Sequence, residues 1–464
     1  MSKISKKLIG NKAFYRMVFA VAVPIMIQNG ITNFVGLLDN IMVGQVGTEP
    51  MSGVSIVNQL LLVYYICIFG GLSGAGIFGA QFYGSGDMEG VRNAYRFKLY
   101  VCVILTASAI LIFTLLDTPL INLYLHDTGD GIADVAKVLD YGKGYLRIML
   151  VGLPAFSLSQ AYASSLRETG ETRLPMVAGI TAVFVNLILN YILIFGHFGA
   201  PKLGIRGAAI ATVLSRYVEL LIMVVIVHRN SEHFAFAKGL YRTVRLPASL
   251  AKRIFAMGAP LQLNEILWSV SMAAIMQCYS IRGVTAVAAL NISSTVSNLF
   301  NVVFYSMGSA VAIIVGQKLG SGNIEDAIDT DIKLIFFSAV LCVGMGILML
   351  ICSPFIPRIY NTAPEVRSLA TRLIMVSAAC MPLNSTNNAC YFTLRSGGKT
   401  WITFAFDSMY QCLISYPFAF ILSRFTGLPI VWMFLMVQLA DLIKVAAGLY
   451  LVHKGTWATN LVKV

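Results

Sequence analysis

Charge is what this sequence of 464 residues has least of: Asp, Glu, Lys and Arg make up 12% of it, against 57% hydrophobic residues. Soluble domains carry about 25% charged and about 45–50% apolar residues. The polar surface of a water-soluble fold cannot be assembled from so little charge, so a bilayer is the solvent that fits the composition. Acids are scarcer than bases, 21 against 34, which leaves a net charge of +13. In a soluble chain that surplus would point to nucleic acid. Here the bases fall between apolar segments, so no nucleic-acid partner is expected and the charges read as membrane orientation. Histidine is limited to His126, His197, His228, His233 and His453, all near loops or segment ends. The cysteines (Cys67, Cys102, Cys278, Cys342, Cys352, Cys380, Cys390, Cys412) lie inside apolar segments without a CxxC pair, and read as small buried hydrophobes rather than metal ligands or disulfides. The sequence has no Walker loop, HExxH or nucleophile elbow, which argues against an intramembrane enzyme. Gly74-Ala75-Gly76-Ile77-Phe78-Gly79 fits the GxGxxG pattern, but it lies in an apolar segment with no strand before it, and close helix packing explains it.

Long apolar runs, by contrast, fill the chain. A helical span takes about 20 mostly apolar residues. Runs of that kind cover 13–43, 51–79, 92–116, 136–163, 174–196 and 207–228, then 250–281, 286–315, 329–353, 364–392, 400–422 and 428–453. Helices satisfy every backbone group within one segment in lipid, and the alternating ten-residue pattern of a barrel is missing. The basic stretch Met1 to Arg16 precedes an apolar run that is longer than a signal-peptide core and holds Pro24 and Asp39 without a cleavage site, so it reads as a retained first span. With the N-terminus inside, about 22 bases (Lys3, Lys6 and Lys7 among them) fall on the inner side and about 10 on the outer. The acidic stretch around Asp117, Asp127, Asp130 and Asp134 then lies outside. The expectation is a multi-pass protein of the cell membrane with both termini cytoplasmic.

The sequence also repeats itself. Gln81-Phe82-Tyr83-Gly84-Ser85-Gly86 returns as Gln317-Lys318-Leu319-Gly320-Ser321-Gly322, and the same offset pairs Pro24 with Pro260. Further along, Leu166-Arg167 through Gly170 to Thr172 matches Leu394-Arg395 through Gly398 to Thr400, and Pro154 matches Pro382. Six spans per copy return the chain to the side it started from, so the copies share one orientation. The predicted fold class is an all-α integral membrane protein with about twelve transmembrane helices in two six-helix bundles, 1–228 and 250–464, related by pseudo-twofold symmetry along the membrane normal. Residues 229–249, with Pro247, form the linker. The glycines of the paired loops break helices, and Arg167 and Arg395 sit beside glycine turns.

Together these residues resemble the multidrug and toxic compound extrusion (MATE) family over nearly the whole chain. The resemblance rests on two six-span halves, on Pro24 followed fifteen residues later by Asp39, on both pairs of repeated loops, and on Leu38-Asp39-Asn40-Ile41-Met42-Val43-Gly44 in the first span. It implies an exporter of organic, often cationic, amphipathic compounds, driven by inward flow of protons or sodium ions; the protein is expected to be a monomer with no further cofactor. It also implies a cation or proton site at Asp39, Asn186, Asn190 and Thr212. Some family members carry Asp where this chain has Asn190, so the site here has less negative charge. In several branches an acid stands eight residues after the second-half proline, where this chain has Trp268.

The residues themselves support such a site. An ionisable group within a span is costly and marks function. Asn186 and Asn190 are four apart and share a helix face, as do Ala208 and Thr212. If these faces meet Asp39, a carboxylate, amides, a hydroxyl and a backbone carbonyl converge. Oxygen ligands suit a hard cation, and a carboxylate equally takes a proton. The alternative is that the two asparagines bond across helices. In the second half, Glu265 lies one turn from Trp268 on a similar face, and Asp407 shares a polar face with Tyr410 and Gln411. Asp441 with Lys444, and Arg216 with Glu219, are opposite charges spaced to neutralise each other. Gln28, Asn33, Tyr64, Asn264 and Asn291 are candidates for a substrate cavity, with helix packing as the alternative for each. A flippase for a lipid-linked precursor is the competing function, but it calls for more intramembrane Arg or Lys than this chain has. A channel is the other rival.

Overall fold

The computed structural model describes residues 8–124, 135–243, 245–360 and 362–463. Lys3, Lys6, Lys7, His126, Asp127, Asp130 and Asp134 lie outside the described residues. Among those described, the regular structure is helical throughout. The helices are α1 (Lys12–Gly44), α2 (Thr48–Ser85), α3 (Met88–Leu115), α4 (Asp117–Asn122), α5 (Val135–Glu168), α6 (Arg173–Phe195), α7 (Ile205–Arg229), α8 (Ala248–Ser280), α9 (Val284–Gly320), α10 (Ile324–Cys352) and α11 (Pro364–Ser396). They are followed by α12 (Thr400–Phe404), α13 (Tyr416–Phe425) and α14 (Ile430–His453). Nine of the described helices are long and apolar enough to cross a membrane. The other three expected spans correspond to α5, α8 and the stretch from α12 to α13. Polar residues such as Lys137, Asp140, Lys143 and Arg147 dilute α5, and Gln262, Asn264 and Glu265 dilute α8. Between α12 and α13 the helix runs through two π-helical stretches, Ala405–Met409 and Gln411–Ser415. Outward faces are apolar, the reverse of a soluble fold: Val103, Ile104, Leu111 and Leu115 of α3 are 60–69% exposed. Pro24, Pro154, Pro260 and Pro382 all lie inside helices, each removing one backbone donor, as spans tolerate.

The chain divides into two compact units. The first holds the residues up to Met26, Ile77–Asp87 and everything from Arg253 on; the second holds Ile27–Gly76 and Met88–Lys252. The main division at Lys252 falls close to the expected linker, while two segments of the first half group with the second.

Within the first unit the reason for that grouping is visible. Gly84 and Gly320 meet reciprocally where α2 crosses α9: a Cβ on Gly84 would lie 1.8 Å from Gln317 O, and one on Gly320 would lie 1.9 Å from Gln81 O. Only glycine allows this approach, so the repeated Gln-x-x-Gly motif is a crossing point as well as a turn. Beyond it, Gly86 and Gly322 take φ of +79° and +85° and end the helices. Asn323 then caps α10, accepting from Asp326 N at 3.2 Å. Gln81, fully buried, donates to Ser396 O at 3.0 Å and Thr459 O at 3.2 Å, and its Oε1 accepts from Leu461 N at 2.7 Å, which fastens the C-terminal tail. Val18, Val21, Ala22 and Ile25 of α1 share a buried apolar cluster with α9, α10, α11 and Trp457.

In the second unit α5 packs on α3 and α7, and α6 packs on α7. The linker residues are not a free loop: Phe236 and Leu240 are buried, and Arg96 donates to Leu240 O at 3.3 Å. Tyr241 bonds to Tyr162, whose hydroxyl also lies 3.0 Å from His228 Nε2.

Candidate functional site

The second unit brings Asp39 of α1, Asn186 and Asn190 of α6, and Ala208 and Thr212 of α7 into one polar cluster. Asn190 Nδ2 donates to Asp39 Oδ1 at 2.8 Å and to Asn186 Oδ1 at 3.2 Å. Asn186 Nδ2 donates to Thr212 Oγ1 at 3.3 Å, and Thr212 Oγ1 donates to Ala208 O at 3.0 Å. With its amide turned round, Asn186 instead donates to Asp39 Oδ1 and Oδ2 at 3.1 and 2.9 Å. Asn186, Asn190 and Ala208 are buried, whereas Asp39 and Thr212 are half-buried. The helical spacing of four places both asparagines on one face of α6, and the glycine-rich start of α7 allows the close approach: a Cβ on Gly207 would lie 2.6 Å from Leu193 O.

Asn190 Oδ1 is buried and has no hydrogen-bond partner among the described residues. A buried acceptor without a donor costs about 1–3 kcal/mol. The oxygens of Asp39, Asn190, Asn186, Thr212 and Ala208 form a set that a hard monovalent cation suits, because such ions take oxygen ligands. A proton on Asp39 would equally turn that carboxylate from acceptor to donor. One turn further along α7, Arg216 pairs with Glu219 at 3.1 Å, as their spacing predicted, and stacks over Phe156.

A second cluster forms within the first unit. Lys444 of α14 pairs with Asp407 at 2.6 Å, and Asn264 Nδ2 donates to the other carboxylate oxygen of Asp407 at 3.0 Å. The partner expected for Lys444 was Asp441, three residues away on its own helix. Asp407, which lies in the π-helical stretch Ala405–Met409, takes that place. Ser408 donates to Asn264 O and Oδ1 at 2.6 and 2.7 Å, and Tyr391 donates to Glu265 at 3.3 Å. Glu265, Asn264 and Asp407 are thus neighbours. Tyr391, Ser408 and Lys444 join them without having been singled out for this role. Tyr391 lies four residues before Arg395, on the face that the repeat marks, and that spacing was the signal available.

The remaining candidates are placed apart. Gln28 accepts from Arg167 Nη2 at 2.9 Å and lies against Gly179. Tyr64 is buried, and its hydroxyl meets Thr106 Oγ1 at 2.8 Å and Leu153 O at 3.0 Å. Asn33, Asn291 and Trp268 are exposed and belong to neither cluster.

The chain is similar to known proteins over most of its length. The Thermotoga maritima protein named Probable multidrug resistance protein NorM is 28% identical over 414 residues, which cover 87% of this chain and 85% of that protein. The Bacillus subtilis protein named Probable multidrug resistance protein YoeA is 27% identical over 422 residues, 90% of this chain and 89% of the other. Among solved structures, a mutant of the Vibrio cholerae MATE transporter VcmN superposes with a TM-score of 0.84 at 18% identity, covering 95% of this chain and 97% of that one, and so shares the fold. A family model described as MatE matches residues 24–192 and 260–421. The two matched stretches open on Pro24 and Pro260, the equivalent prolines of the repeat, and between them they take in every residue of the Asp39 cluster except those on α7. This chain belongs to the MatE family.

Proposed function

We propose that this chain is a cation-coupled antiporter, not an enzyme, that exports amphipathic and mainly cationic organic compounds by alternating access. In this reading it acts as a monomer in the cell membrane with both termini in the cytoplasm, and it uses no cofactor beyond the coupling proton or sodium ion. The multidrug-resistance names of the Thermotoga maritima and Bacillus subtilis relatives support the substrate class. The observation that carries the coupling is the Asp39 carboxylate beside two buried amides, one of which keeps an unpartnered oxygen.

Substrate enters from the inner side, the protein turns outward, and an ion reaching Asp39 replaces or rearranges its bonds to Asn190 and Asn186. That ion gives the two states different free energies, which is the condition for shifting a conformational balance. One ion exchanged for a neutral substrate moves one charge, and 100 mV then releases about 2.3 kcal/mol, enough for a roughly 50-fold concentration ratio; for a monovalent cationic substrate the exchange moves no net charge, and the ion's own concentration gradient is the driving force. The test is dye efflux from vesicles holding the purified protein, with a proton gradient and a sodium gradient imposed separately. Efflux under one gradient alone names the ion. No efflux under either gradient for a panel of cationic dyes contradicts the reading.

A further inference from the structure

We propose that the cavity beside Lys399 binds the headgroup of an anionic phospholipid from the inner leaflet. The proposal rests on the membrane orientation argued above and is independent of what the protein exports. The cavity has a volume of about 330 Å³ and lies in the first unit, where α8 begins and where α11 passes into α12. Lys399, Arg253, Trp401, Met257, Ala256 and Ile402 supply most of its wall, and among the described residues no acid lines it. A water occupies about 30 Å³ of liquid, so the space is that of roughly ten waters, enough for a phosphoglycerol group.

The repeat shows that Lys399 is not there for turn chemistry. The equivalent residue of the first half is Glu171, whose carboxylate accepts from Arg173 N and Leu174 N at 3.0 and 3.2 Å and so caps α6. In the second half a lysine replaces that acid. An ammonium cannot accept from backbone amides. Lys399 also makes no ion pair among the described residues. Arg253 uses one nitrogen to donate to Leu461 O at 2.6 Å and rests on the Phe78 ring, which leaves the rest of its guanidinium fork for an anion. Trp401 and Ile402 are 63% and 39% exposed, next to the cations. An aromatic ring beside basic residues at a span end is the chemistry of the headgroup layer, and basic pockets on the cytoplasmic side bind anionic headgroups. Apolar Met257, Ala256 and Ile402 suit the first carbons of an acyl chain, which a free anion lacks.

The experiment is native mass spectrometry of the full chain in detergent, titrated with phosphatidylglycerol or phosphatidylcholine. The wild type should retain phosphatidylglycerol in preference. Lys399→Gln should weaken that binding about fivefold, as loss of one base near an anionic surface implies, and Lys399→Arg should restore it. Because the Lys399 side chain holds no other group among the described residues, Lys399→Gln should melt with the wild type in the absence of lipid. Equal retention of both lipids, or unchanged phosphatidylglycerol binding in Lys399→Gln, overturns the proposal. Thermal protection of the wild type by inorganic phosphate, as strong as that by phosphatidylglycerol, overturns it in favour of a soluble-anion site.

Discussion

Lys98 offers a direct test of how the second unit holds together. Its side chain is 0% exposed. The ammonium donates to both oxygens of Glu168 at 2.6 and 2.7 Å, and to Ser164 and Ser165 at 3.0 and 2.9 Å. These bonds join α3 to the end of α5, and α2 closes over them: a Cβ on Gly76 would lie 3.0 Å from Glu168 Oε1. Lys98→Met keeps most of the stem volume but takes the Lys98 ammonium away from a buried carboxylate. Breaking one side of such a pair costs about 3–5 kcal/mol, whereas replacing both partners with apolar residues is close to neutral. For a chain of this length the melting entropy scales to about 1 kcal/mol per degree, so Lys98→Met should lower the Tm by about 3–5 °C. Lys98→Met combined with Glu168→Leu should regain most of that loss. The assay is thermal unfolding of purified protein in one detergent at one scan rate. A single variant that melts within a degree of wild type, or a double variant as unstable as the single, would show that the Lys98–Glu168 pair does not hold α3 to α5.

Other perturbations follow from the same geometry. Gly84→Ala drives a methyl against Gln317 O and should cost more than the about 1–3 kcal/mol of ordinary overpacking; the readout is the monodisperse yield on size exclusion, with Gly320→Ala expected to behave alike. Asn190→Asp adds a second carboxylate to the oxygens around Asp39 and should increase stabilisation by sodium, measured as the Tm gain between potassium and sodium buffers. Lys444→Ala strands Asp407 among buried groups and should destabilise by about 3–5 kcal/mol, with much of the loss recovered when Asp407→Asn is added, again read by melting.

Much of the fold is legible in the chain because lipid leaves it few options. The expected first span at 13–43 is α1, Lys12–Gly44, and the expected 428–453 is α14, Ile430–His453. The paired prolines and glycines could be read because a duplicated crossing point needs the same small residues twice. The Asp39 cluster was accessible through helical periodicity, since residues four apart share a face wherever the helix goes. What periodicity cannot supply is the partner across helices. Lys98 reads in sequence as one more inner-side base, and only the fold brings it to Glu168, seventy residues on. Lys444 has Asp441 within local reach, yet it pairs with Asp407, thirty-seven residues away in a π-helical stretch that has no marker in composition. Gln81 was visible as a repeated residue, but its bond to the tail at Leu461 depends on contact between distant ends of the chain.

If Asp39 couples ion entry to export, Asp39→Asn in proteoliposomes should separate the two. The amide keeps the shape and can still meet Asn190, so the variant should fold and bind substrate as the wild type does. Gradient-driven export should fall to the protein-free background under both proton and sodium gradients. Export at the wild-type rate by a folded Asp39→Asn protein would mean that Asp39 is not the coupling residue.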